Sequence, residues 1–261
     1  MSSSLTPQRR RWGTIVPHRS YRRLRLGPLD VLGTLIAIAI SLAASILLAP
    51  LVLEAMTRYA AWLLSGGGVL HTTGAFRFLF VTMTPLSFDM RDLSATATLI
   101  EIVVCALLIV VVSLLRVLAA PLRFFIITNL WILGGAAVFL YLRGHVGYPA
   151  TEFSLLILET ALVMWLVAPV FMGIVSLLFP LRFIDRVFLI VVPVIFDMIL
   201  SIVRYGAFVM IAAYAGPTTM TPLYLLYGPL VDSVALIAFF SYAMVRLARQ
   251  IDLREGVWGW L

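Results

Sequence analysis

The sequence predicts an all-α polytopic membrane protein with about six transmembrane helices and both termini on the cytoplasmic side. Three observations predict it. Of the 261 residues, 62% are hydrophobic and only 12% are charged, about half the charged share of a soluble domain. Six apolar runs are each long enough to cross a hydrocarbon core, which takes about 20 helical residues. The arginines gather at alternate ends of those runs, the pattern that positive-inside sorting produces.

The first span, about 31–53, is bracketed by Asp30 and Glu54. It is longer than the apolar region of a signal peptide, and the small residues Ala43-Ala44-Ser45 fall in its middle, so it reads as a retained helix. The second span, about 93–117, contains Glu101. The third lies between Arg123 and Arg143, and the fourth, about 154–178 with Glu159 inside it, stops at Pro180. The fifth, about 187–214, carries Asp197 and Arg204. Gly216-Pro217 then breaks the chain, with Pro222 close behind. The sixth span, about 223–245, carries Asp232.

Three segments flank or interrupt the six-helix membrane domain at 31–245. Residues 1–30 hold seven arginines and form a basic cytoplasmic segment suited to anionic headgroups. Residues 55–92 form the longest external segment. Within it, Arg58 to Leu64 reads as a short interfacial helix with Tyr59 and Trp62 at headgroup level, ended by Gly66-Gly67-Gly68. Partial alternation from Phe76 to Phe88, with Pro85 inside it, fits either a small hairpin on the membrane or an irregular apolar loop. Residues 246–261 mix Arg with acids, Trp258 and Trp260, and read as an interfacial cytoplasmic tail.

The net charge is +7 and all 19 basic residues are Arg. Fourteen fall on the side of the termini, four on the other side, and Arg204 within the membrane. Without Lys there is no retinal-type Schiff base. The one cysteine, Cys105, excludes an internal disulfide or thiolate metal cluster and reads as a small core residue. His18, His71 and His145 lie outside the spans, which disfavours a bis-histidine haem. No phosphate-binding loop, zinc-protease motif, serine-hydrolase elbow or dinucleotide fingerprint occurs. No cofactor or metal is therefore expected, and an enzyme is disfavoured. Positive-inside bias accounts for the N-terminal arginines, so no nucleic-acid partner is expected.

An internal echo is present. Val112-Ser-Leu-Leu and Pro121-Leu-Arg-Phe recur as Val175-Ser-Leu-Leu and Pro180-Leu-Arg-Phe. Two related hairpins, spans two–three and four–five, would produce it, with Glu101 and Glu159 in similar places; so would chance recurrence in a Leu-rich chain. Internal repeats are common in transporters.

The intramembrane polar cluster is Glu101, Glu159, Asp197, Arg204 and Asp232. Charges in hydrocarbon are expensive and rarely idle. Arg204 and Asp232 come out at about 15 Å and about 14 Å from the same surface on consecutive antiparallel helices, which predicts an ion pair. Asp197, seven residues before Arg204, lies on nearly the same face without an evident partner. Either the cluster lines a polar cavity for an ion, a substrate or protons, or the pair only staples two helices.

Pro180-Leu-Arg, Ser201-Ile-Val-Arg204 and Leu226-Tyr-Gly-Pro-Leu230 resemble the last two helices of the exosortase/archaeosortase membrane transpeptidases, over residues 180–245. The resemblance implies that Arg204 matches that family's arginine. It also departs from the pattern: Ser201 stands for the Asn, Tyr224 or Tyr227 stands near the expected His, and no Cys-Ser-Gly exists, since Ala106-Leu107 follow Cys105. What it implies is a degenerate relative without cysteine chemistry.

Three functional expectations follow. The first is a permease-like transport subunit of a bacterial inner membrane, partnered by the lipid bilayer and by other membrane or cytoplasmic subunits. The second is a non-catalytic structural or assembly subunit of a larger membrane complex. The third is the degenerate exosortase-like protein.

Overall fold

The computed structural model describes residues 28–65, 70–72, 74–90, 93–115, 117–144, 149–177, 181 and 183–252, with side chains excepted at 70–72 and 246–252. The N-terminal arginines before Pro28, and Trp258 and Trp260 of the tail, lie outside the described residues.

Helix α1 spans Pro28–Leu64, α2 Ala95–Leu114, α3 Ala120–Arg143, α4 Ala150–Leu177 and α5 Phe183–Ala215. A 3₁₀ turn, Pro217–Thr219, leads into α6, Met220–Tyr227, and α7, Pro229–Asp252. Six membrane-length apolar segments result, α6 and α7 together counting as the sixth. The chain is an all-α integral membrane protein.

Several boundaries differ from expectation. The first helix does not stop at Glu54. Glu54 pairs with Arg58 one turn on, at 2.6 Å, and the segment expected to be a separate interfacial helix is the last part of α1. Charges at 30, 54 and 58 mark where the apolar run ends, and a charged residue need not end a helix. Asp30 sits in the first turn of α1, where the helix dipole favours an acid. The sixth span is not one helix: Gly228-Pro229 splits it into α6 and α7. The start of the expected tail, residues 246–252, continues α7.

Between α1 and α2 the chain forms four short strands: β1 Leu70–Thr72, β2 Phe76–Phe78, β3 Val81–Met83 and β4 Leu86–Phe88. β2 pairs antiparallel with β3, Phe76 opposite Met83, and β1 with β4, Leu70 opposite Phe88. The nested hairpin is thus present, and its alternation has a destination. Val81, Met83, Leu86 and Phe88 are buried in one cluster with Leu53, Met56 and Leu64 of α1 and Phe153 and Ile157 of α4. The hairpin plugs one end of the helix bundle.

The centre of the bundle is α1, α4 and α5, with α1 against α5 the most extensive contact. The sequence makes this approach feasible. Along α1 the buried residues Ala37, Ser41, Ser45 and Ala49 recur every fourth position, a seam of small side chains that lets backbones come close in lipid. Gly173 of α4 lies against Ile38 and Thr34, and Gly206 of α5 against Tyr59 and Leu63. At the end opposite the hairpin, buried Arg186 donates from Nη1 to the Asp30 carbonyl at 3.1 Å and carboxylate at 3.2 Å. The α2–α3 hairpin packs on itself and meets the remainder through α3 against the 3₁₀ turn and α6.

Candidate functional site

The site forms where α5 passes the break between α6 and α7. Proline at 229 cannot donate to the preceding turn, so α6 ends at Gly228, whose N–H caps the Tyr224 carbonyl at 3.2 Å. Asp232 consequently lies in the first turn of α7, rather than deep inside an unbroken helix.

Arg204, only 8% exposed, reaches this break from α5. Its Nη1 donates to the Gly228 carbonyl at 3.2 Å and, in a short contact, to Asp232 Oδ1. Nη2 donates to Ser201 Oγ at 3.4 Å. The expected pair is therefore formed, and the guanidinium also bonds the Gly228 carbonyl at the break, which accepts from the Val231 and Asp232 N–H groups as well.

Asp197, 6% exposed, and Asp232, 2% exposed, face a cavity of about 10 Å³ together with Met164, Ala168, Pro193 and Phe239. That volume is on the order of one water molecule. The two carboxyls border this same small space. Among the described residues, both oxygens of Asp197 and Oδ2 of Asp232 have no hydrogen-bond donor.

The other two acids do not join them. Glu101 on α2 is half-buried and accepts from Thr218 Oγ1 of the 3₁₀ turn at 2.9 Å. Glu159 on α4 is half-buried and makes no hydrogen bond or ion pair among the described residues. Of the repeat words, Ser113 and Ser176 each donate to a backbone carbonyl in the final turns of α2 and α4, while Leu178, Pro180 and Arg182 of the second copy lie outside the described residues. The environments of the two glutamates are not equivalent.

Sequence reasoning missed a second buried polar chain. Leu86 N–H of β4 donates to Ser154 Oγ at 3.0 Å, and Ser154 Oγ lies 2.5 Å from Tyr205 Oη. It fastens the plug to α4 and α5. Thr160 donates to the Leu156 carbonyl, which leaves its oxygen to accept from Tyr224 Oη at 3.2 Å. A larger lateral cavity of about 520 Å³ lies between α3, α4 and α6, lined by Ile132, Phe139, Phe153 and Met220 among others, with no ionisable residue except Tyr224. Among the described residues no group of three or more His, Cys, Asp or Glu could hold a metal ion.

No protein-family model, curated protein or solved structure matched the chain.

Proposed function

We propose that the chain is a permease-like transport subunit of a bacterial inner membrane, and that Asp197, Arg204 and Asp232 form its coupling site. One observation carries the reading: two carboxyls and a guanidinium are buried together where a membrane helix is interrupted. Transporters build mid-membrane binding sites at discontinuous helices, where broken backbone and charge are sheltered within protein or line a cavity. A staple needs one acid for one base. The second acid, Asp197, is surplus to that purpose.

The test is electrical. Protein purified in mild detergent with the subunits that accompany it is reconstituted, and transient currents are recorded on proton and sodium concentration jumps. The wild type is expected to give currents above empty liposomes, lost in Asp197→Asn and retained in Glu54→Gln. Equal currents in wild type and Asp197→Asn would sink the reading.

A structural or assembly subunit is the second reading, favoured by α3, where Ala137 is the one buried residue along the helix. Its broad apolar face would then cover a neighbouring subunit, and a fixed set of partners would co-purify unchanged with Asp197→Asn. The degenerate exosortase-like reading is supported by Arg204 and would gain from Arg204-dependent processing of an exported substrate.

A further inference from the structure

We infer that Asp197 and Asp232 hold one exchangeable proton between them, with Arg204 as the fixed counter-charge of Asp232. The inference deepens the proposed function, and rests on it only for what the proton does, not for its presence.

The hydrogen-bond inventory requires it. An ionised carboxylate can only accept. Asp232 Oδ1 accepts from Arg204, but Asp232 Oδ2 and both Asp197 oxygens meet no donor among the described residues. Two carboxylates bordering one small apolar space repel in this state. A proton on Asp197 makes its O–H a donor to Asp232 Oδ2, satisfies two of the three orphaned oxygens and turns repulsion into a hydrogen bond.

Charge leads to the same number. Two carboxylates and one guanidinium carry a net charge of about −1, and a single proton makes the group neutral, the state hydrocarbon tolerates. Among the described residues no other ionisable group lines the cavity. From α4 the cavity meets Met164 and Ala168. On α1, Asp30 is engaged by Arg186 and Glu54 by Arg58. Tyr224 of α6 is hydrogen-bonded to Thr160. A metal ion is the poorer occupant, because the cavity has room for about one water and its remaining walls are apolar.

The backbone around the pair is built to open. Pro193 lies one turn before Asp197 and removes the N–H that would bond the Leu189 carbonyl. Gly228 lies one turn before Asp232 and ends α6. Each carboxyl therefore follows a weakened point in its own helix; Pro193 itself lines the cavity, and Gly228 lies one turn before Asp232, which does. Movement at either hinge admits water. The Asp197 O–H bond then breaks, the proton passes to that water, and the three-residue group is left with one net negative charge until a proton returns.

Infrared difference spectroscopy of the full chain in lipid, across a pH titration, tests this. The wild type is expected to show the C=O stretch of a protonated aspartic acid, shifted in D₂O and bleached at high pH. Asp197→Asn is expected to lose that band, while Glu101→Gln and Glu159→Gln keep it. If Asp197→Asn fails to fold, wild-type protein labelled with ¹³C only at aspartate answers instead, since its protonated signal separates from that of glutamate. No protonated aspartate at any pH overturns the inference. So does a band that Asp197→Asn leaves unchanged, or sodium-dependent thermal stabilisation that Asp197→Asn abolishes without any protonated aspartate. A protonated Asp197 in a protein with no currents leaves the inference standing and removes the transport reading. Currents that need Asp197 without a protonated aspartate remove the inference alone.

Discussion

The α1–α4–α5 core and the α2–α3 hairpin are equally apolar in sequence but are built on different terms. α4 buries a continuous stripe from Phe153 to Ser176 at three- and four-residue spacing, whereas α3, of similar length, buries Ala137 alone. All three members of the charged site, and the Ser154–Tyr205 link, belong to the core or to α7, which packs on it. Among the described residues a polar tie, Glu101 to Thr218, joins the hairpin to the rest. Because lipid is as apolar as leucine, hydrophobicity cannot decide which helices pack centrally. Small residues and satisfied polar groups can. If that is what separates the two regions, perturbing polar or close-packed positions should be costly in the core and mild in the hairpin.

The largest effect is expected at the ion pair. Arg204 cannot shed its proton, so removing its acid leaves a buried uncompensated charge. Asp197 is the acid near enough to substitute, and the full effect should appear when it is neutralised too. Asp232→Ala in an Asp197→Asn background is expected to lose about 3–5 kcal/mol, measured by denaturation in mixed detergent micelles. Arg204→Met with Asp232→Leu should recover much of it, since paired apolar replacements are often near neutral. A loss below about 1 kcal/mol, the range of an exposed surface pair, would erase the distinction between core and hairpin.

Next comes close packing. A methyl at Gly206 would stand 2.7 Å from Tyr59 Cδ1 and 2.8 Å from Leu63 Cδ1, so those α1 side chains must shift to admit it. Gly206→Ala is expected to destabilise by about 1–3 kcal/mol. Gly135 on α3 has nothing within 4 Å of such a methyl, and Gly135→Ala should change stability by at most about 1 kcal/mol, toward greater helix stability. Thermal melts of the two variants side by side decide it; equal destabilisation would mean that α3 is as tightly packed as α5.

Much of this was legible from residues alone, and the limits are instructive. Run lengths and hydropathy sufficed for six spans, because a bilayer sets helix length directly. Depth counting from helix ends sufficed for Arg204 opposite Asp232. The Gly228-Pro229 break was in view within Leu226-Tyr-Gly-Pro-Leu230, yet hydropathy does not fall there, so apolarity alone continues the span across it. Charge misplaced the end of α1, because Glu54 and Arg58 satisfy each other on the helix surface. The grouping of Asp197 with the pair, and the exclusion of Glu101 and Glu159, needed the third dimension, since one sequence is compatible with many rotations of each helix. The small-residue seam from Ala37 to Ala49 was a readable signal for the central helix, one that points to α1 as the partner of α4 and α5.

The smallest effect is expected where the hairpin meets the core. Thr218→Val keeps the shape of the side chain and removes the hydroxyl that donates to Glu101. One hydrogen bond to a carboxylate contributes about 1.5–3 kcal/mol when buried, but Glu101 is only half-buried, and the expected loss is nearer 1 kcal/mol. The loss should also be local. Thr218 itself is buried in the turn after α5, while α2 and α3 can separate from it as a unit without exposing the α1–α5 contact. Cys105 reports that event, because it is buried against Gly134 at the α2–α3 contact and is the chain's single thiol. If the hairpin undocks as an intact pair, Thr218→Val should leave Cys105 labelling by a membrane-permeant maleimide at the wild-type rate while lowering the yield of a cross-link engineered between α3 and α6. Faster labelling of Cys105 would show that the hairpin depends on the core for its own pairing. The two regions would then be one cooperative unit, and not a packed centre with a loosely attached arm.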